Sequence, residues 1–93
     1  MTNFIAIDVE TANADMASIC QIGIAQYSDG KLVDKWSSLI NPEDYFDPIN
    51  IEIHGIKPED VVGSPSFPEI YEVLLDYQNK NRLWISIPSP KIS

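Results

Sequence analysis

Hydrophobic and polar positions alternate over residues 3–9, NFIAIDV, with Ile5, Ile7 and Val9 on one side and Phe4, Ala6, Asp8 and Glu10 on the other. A period of two predicts a strand whose isoleucines and valine turn to the core. The loop TANADMAS comes next, and residues 19–27, ICQIGIAQY, predict a second strand, with Gly23 marking a bulge or a close backbone approach. Ser28-Asp29-Gly30-Lys31 is a tight-turn signal, and residues 32–40, LVDKWSSLI, predict a third strand. The expectation is a three-stranded antiparallel meander. Asn41-Pro42 ends it, because proline brings no N–H to a ladder and restricts the residue before it.

Residues 41–57 have weak periodicity and predict a long irregular connection. Pro58-Glu59-Asp60-Val61-Val62 predicts a short helix, with proline in the first turn and acids near the N-terminus. Ser66-Phe67-Pro68-Glu69 fits a capping box. Phe67, Ile70, Val73, Leu74 and Tyr77 then recur at helical spacing, which predicts one amphipathic helix over about 66–79, its apolar stripe on the sheet. LWISI, residues 83–87, is a candidate for one further strand, and no helix signal comes after it. The fold class is α/β, in one small domain.

Composition narrows this further. The 93 residues are 44% hydrophobic, 10% aromatic and 22% charged, as in globular proteins. Six Lys and Arg against fourteen Asp and Glu give a net charge of −8. That opposes coating long stretches of nucleic acid, which requires neutralised phosphates. It leaves open an enzyme that grips only a strand end through bound metal. The single cysteine, Cys20, forms no internal disulfide and is read as core; Trp36 and Trp84 are likewise read as packing residues. With no signal peptide and no long apolar run, the expectation is a soluble, cytoplasmic chain without a membrane partner.

Asp8 and Glu10 carry the candidate chemistry. Side chains at i and i+2 of a strand project from the same face, their Cα atoms roughly 6.5–7 Å apart. Carboxylates that close repel unless a cation lies between them or one takes up a proton. A hard divalent ion, Mg²⁺ or Mn²⁺, suits such oxygen donors. For an isolated Asp-x-Glu the ordinary reading is two solvated acids near a strand end. Here an apolar strand leads into Asp-Val-Glu-Thr, with an Ile-Cys-Gln-Ile-Gly strand and a hairpin after it, a much rarer string.

IAIDVETAN, together with the later ICQIGIAQY, resembles the first motif of the DnaQ-like (DEDD) 3′–5′ exonucleases, which include the polymerase III epsilon subunit, ribonuclease T and oligoribonuclease. IHGIKPEDV, residues 53–61, resembles the segment after the third strand in polymerase-type members. The resemblance implies a ribonuclease H-like fold and removal of nucleotides from the 3′ end of single-stranded DNA or RNA. It implies two metal ions held by four acids, with Asp8 and Glu10 as the catalytic metal ligands present here. Val9 and Thr11 would lie beside the substrate, Thr11 through its backbone. His54 is not assigned as the family's general base, which lies near the far end of that domain. It is read as bonding across the loop or packing by the site, and as a candidate substrate contact. Asp15 is read as a turn former, and the acids at 43, 44, 47, 52, 59 and 60 as surface charge or helix-end partners.

The family's second acidic motif comes after the strand that succeeds the helix, where this chain has LWISIPSPKIS and no acid. The third motif would lie beyond Ser93. The expectation is an N-terminal half-domain over residues 1–82 and a divergent tail over 83–93, from a shortened or frame-shifted reading of a longer gene. Such a fragment would bind metal weakly and be nearly inactive alone. The alternative is a non-catalytic module on the same half-fold that binds a partner, a complementing chain or a second copy of itself.

Overall fold

The computed structural model describes residues 3–80 and 83–87. Strands β1 (Asn3–Thr11), β2 (Ile19–Ser28) and β3 (Lys31–Leu39) form the expected antiparallel meander. The fourth strand, β4 (Leu83–Ile87), is also present and pairs in parallel with β1, so the sheet order is β3-β2-β1-β4. β1 is therefore an interior strand, hydrogen-bonded on both sides. The Trp84 side chain and the tail from residue 88 lie outside what is described.

Asp29 and Gly30 close the β2–β3 hairpin at positive φ, 53° and 80°. Two-residue loops of this kind demand positive φ at both central positions, and Asp-Gly meets the demand cheaply. Ile5, Ile22, Ile24 and Ile40 then build the core against Ile70, Leu74 and Tyr77 of helix α2 (Phe67–Lys80). Ile7, Val9, Trp36 and Val73 pack around this layer. Each isoleucine buried here contributes roughly 1.5–3 kcal/mol, so the sheet–helix layer is the main source of stability. The apolar stripe of α2 begins at Ile70, since Phe67 is left 37% exposed. At the other end of the stripe the Tyr77 hydroxyl donates to Asp34 Oδ2 at 3.1 Å, tying α2 to the edge strand β3.

Three expectations are corrected. The connection after β3 holds a further helix, α1 (Pro48–His54). Asp47 caps it by accepting from the Ile49 N–H, Pro48 occupies its first turn, and Gly55 ends it at φ 76° with its N–H on the Ile51 carbonyl. The short helix expected at Pro58 is present as a 3-10 helix, Pro58–Val61, and its Val61 packs with Cys20 and Ile56 in a second small cluster. Ser66 does not complete a capping box: its hydroxyl pairs with the Glu69 carboxylate at 3.3 Å. Gly23 sits in regular register opposite Asp8, and a Cβ there would meet only the Asp8 carbonyl at 3.9 Å, an ordinary contact. The bulges lie elsewhere, at Cys20 in β2 and at Val33 in β3. Among the described residues no helix is long and apolar enough to cross a membrane.

Candidate metal and nucleic-acid site

β1 brings Asp8 and Glu10 to the same side of the sheet, close to its C-terminal end. Glu10 is buried, at 8% exposure, and Asp8 is half-buried with its Oδ1 sequestered from solvent. Val9 points the other way and packs against the core. Any contact it makes with a substrate would therefore be through its backbone. Immediately after Glu10 the β1–β2 ladder slips: Glu10 faces Gln21 and Thr11 faces Ile19, so Cys20 is the extra residue. A bulge at this point bends the strand and re-aims the residues beyond it.

The Thr11 carbonyl is held from outside the sheet. His54 Nε2 lies 2.9 Å from it and Asn50 Nδ2 lies 3.1 Å from it. His54 Nδ1 accepts the Ile56 N–H at 2.9 Å, so its proton is on Nε2 and that nitrogen donates to Thr11. The same nitrogen lies 4.0 Å from Cys20 Sγ. The nearest chemistry for a buried Cys–His pair would be a nucleophilic thiolate, but burial, and next the Glu10 carboxylate, push the Cys20 thiol up to about 11. A thiol that resists ionisation is a poor nucleophile. Cys20 is core, as its sequence position suggests.

The loop after β1 is bound into the same structure. Asn13, 2% exposed, donates through Nδ2 to the Tyr45 carbonyl at 2.9 Å and accepts the Asp15 N–H at 2.8 Å. The fully buried Ser18 hydroxyl donates to the Asp15 carbonyl at 2.6 Å and accepts the Asn13 N–H at 3.1 Å. Asp15 caps a turn, its carboxylate accepting from the Ala17 N–H. Asn13, Ser18 and Asn50 are the residues missed by reading the sequence. TANADMAS signals a turn, but nothing in the sequence indicates that its Asn13 reaches a carbonyl 32 positions away.

On the sheet face turned away from α2, an open groove of about 530 Å³ runs from Asp8 past Ala6, Gly23 and Ala25 to Lys35 and Tyr27. Phe4 and Tyr27 stack on that face at 5.0 Å.

Two hard oxygen donors on one face suit Mg²⁺ or Mn²⁺, which are commonly held by one or two carboxylates together with waters and substrate phosphates. Among the described residues no group of three or more His, Cys, Asp or Glu is arranged so that it could hold a metal ion. Asp8 and Glu10 would serve as oxygen donors to a divalent ion.

An antiparallel meander extended by a parallel strand, with an acid pair near the end of the interior strand, is an α/β arrangement that brings two oxygen donors to one sheet face. The chain belongs to the RNase_T exonuclease family, which matches residues 5–89. Solved structures share its fold. Exonuclease X in complex with 5′ overhanging duplex DNA superposes with a TM-score of 0.69 at 22% identity, over 94% of this chain and 55% of that one. For cell-death related nuclease 4 the values are 0.70 and 16%, over 95% and 35%. The nuclease domain of 3′hExo, a DEDDh family member bound to rAMP, gives 0.67 and 14%, over 92% and 50%. The chain thus spans between about a third and just over half of these proteins. No curated protein matches it.

Proposed function

We propose that this chain is the metal-gripping half of a DnaQ-like 3′–5′ exonuclease site, acting at the 3′ end of single-stranded DNA or RNA. One observation carries the reading. In a chain of an exonuclease family, Asp8 and Glu10 leave the same side of the interior strand, just before a β2 bulge and a Thr11 carbonyl held by His54 and Asn50. Bound Mg²⁺ or Mn²⁺ would supply water activation and charge stabilisation at the scissile phosphate. Asp8 and Glu10 hold the ion, and the Thr11 segment lies along the terminal nucleotide. The IHGIKPEDV segment supports the polymerase-type branch of the family, that of the epsilon subunit.

Turnover requires acids beyond this pair, and the sequence contains none after Asp76. A misplacement of ~1 Å costs about a hundredfold in rate, so the chain alone is expected to be nearly inactive. The open groove beside Asp8 favours one second reading, a non-catalytic module that binds a partner across that face.

The test is trimming of a 5′-labelled single-stranded oligonucleotide with Mn²⁺ or Mg²⁺, with Asp8→Ala in parallel. Trimming from the 3′ end that Asp8→Ala abolishes would establish the enzyme and refute the expected inactivity. If wild type is inactive and its Mn²⁺ uptake is unaltered by loss of Asp8 or Glu10, the metal site is wrong and the partner-binding reading is preferred.

A further inference from the structure

We infer that α1 is a positioning element for the Glu10 carboxylate, with Asn50 and His54 as its working residues; this rests on the reading of Asp8 and Glu10 as metal ligands. Carboxylates that ligate a metal must be held to within about 0.5 Å to serve. β1 pairs Glu10 regularly with Gln21, and the extra residue Cys20 in β2 breaks the register at Thr11. α1 adds a constraint at that point. Asn50 and His54 are four residues apart, on one helix face, and both donate to the Thr11 carbonyl, at 3.1 and 2.9 Å.

The clamp continues along the chain. Asn50 Nδ2 also lies 3.4 Å from the Asn13 carbonyl, and the Asp47 N–H, at the cap of α1, donates to the Ala12 carbonyl at 2.8 Å. His54 is itself immobilised: the ring is 6% exposed and Nδ1 is taken by the Ile56 N–H. An apolar side chain would serve packing alone, whereas here both ring nitrogens are committed. The Thr11 carbonyl belongs to the peptide joining Thr11 to Ala12, so these bonds pin the chain one residue past Glu10 and make the setting of that carboxylate depend on a helix some forty residues further along the chain.

The test titrates Mn²⁺ into the full chain, by electron paramagnetic resonance, for wild type, Asp8→Ala, His54→Leu, His54→Gln and Asn50→Ala, with a thermal melt of each. His54→Leu is expected to weaken Mn²⁺ binding about tenfold, at the low end for loss of a contact supporting a ligand. His54→Gln, whose amide reaches the Thr11 carbonyl, restores most of the affinity. Its melting temperature stays lowered, because the Ile56 N–H bond is not remade. Unchanged affinity in His54→Leu, or equal loss in Leu and Gln, overturns the positioning role. Should His54→Leu fail to fold, Asn50→Ala decides, with about a threefold loss expected from one hydrogen bond and no loss refuting the role. If wild type takes up no Mn²⁺, or Asp8→Ala binds it equally well, the metal reading is what fails. The positioning role is then judged by the Glu10 carboxyl carbon resonance without metal. That resonance moves in His54→Leu and returns in His54→Gln if α1 positions Glu10, and stays fixed in both if it does not.

Discussion

Replacing Asn13 by alanine removes two hydrogen bonds, one joining the loop after β1 to the connection after β3 and one within that loop. They are the Nδ2 donation to the Tyr45 carbonyl at 2.9 Å and the acceptance of the Asp15 N–H at 2.8 Å. A typical intramolecular hydrogen bond is worth about 0.5–1.5 kcal/mol net, so the pair is worth about 1–3 kcal/mol. Tyr45 and Asp15 are exposed, which lets water take up the stranded groups and places the expectation near the lower half of that range. A domain of this size gains only about 5–14 kcal/mol from folding. The loss is thus readable as a fall of roughly 5–12 °C in melting temperature. The assay is urea unfolding followed by far-UV circular dichroism, with Asn13→Asp beside Asn13→Ala. Aspartate keeps the acceptor for Asp15 but sets a carboxylate against the Tyr45 carbonyl, so it should do no better than alanine. A midpoint unchanged in Asn13→Ala, or full recovery in Asn13→Asp, would refute the claim that the Tyr45 bond holds the loop.

Tyr77→Phe removes the hydroxyl bonded to Asp34 and should cost about 0.5–1.5 kcal/mol in urea unfolding. Burial first, and then the hydrogen bond to Asp34, raise the Tyr77 pKa above its usual value of 10.0. The folded state therefore holds this proton more tightly than the unfolded one. The associated stability is complete below pH 10 and fades as pH rises above it, a loss that Tyr77→Phe should lack. Cys20, its thiol held at about 11, should resist iodoacetamide at pH 8 in the folded chain and react in urea. Glu10→Gln should lower that thiol's ionisation point, read by thiolate absorbance, because the Glu10 charge is the second cause of its rise. Asp47→Ala deletes the cap of α1 and should cost about 0.5–2 kcal/mol, measured by urea unfolding; no change would mean the Ile49 N–H bond is dispensable.

Most of the architecture is legible where the hydrophobic period is clean. β1 and β2 bury Ile5, Ile22 and Ile24 at alternate positions, and α2 buries Ile70, Leu74 and Tyr77 at helical ones. α1 is not legible by that route, for a physical reason. Its isoleucines stand at 49, 51 and 53, a period of two, and the helix leaves Ile49 62% exposed and Ile53 37% exposed while burying His54. Its termini carry the available signal: Asp47-Pro48 at the start and Gly55 at the end are ordinary helix punctuation. At the site, the acid pair is visible because two carboxylates on one strand face are costly. The Asn13 and Asn50 contacts are invisible, because each joins residues more than thirty positions apart whose polarity alone suggests a surface loop, whereas the bond from His54 across the loop is expected from the sequence and present.

The parallel pairing of β1 with β4 has a consequence for the nascent chain. β2 can close on β1 as soon as the first hairpin has left the ribosome, but Leu83 is added 55 positions after Ser28, where β2 ends. At roughly 5–20 residues per second, that interval is about 3–11 s. For those seconds the strand bearing both acids has one edge satisfied and the other presenting its amides and carbonyls to solvent or to a chaperone. Any extended segment that meets it in parallel register could add there first.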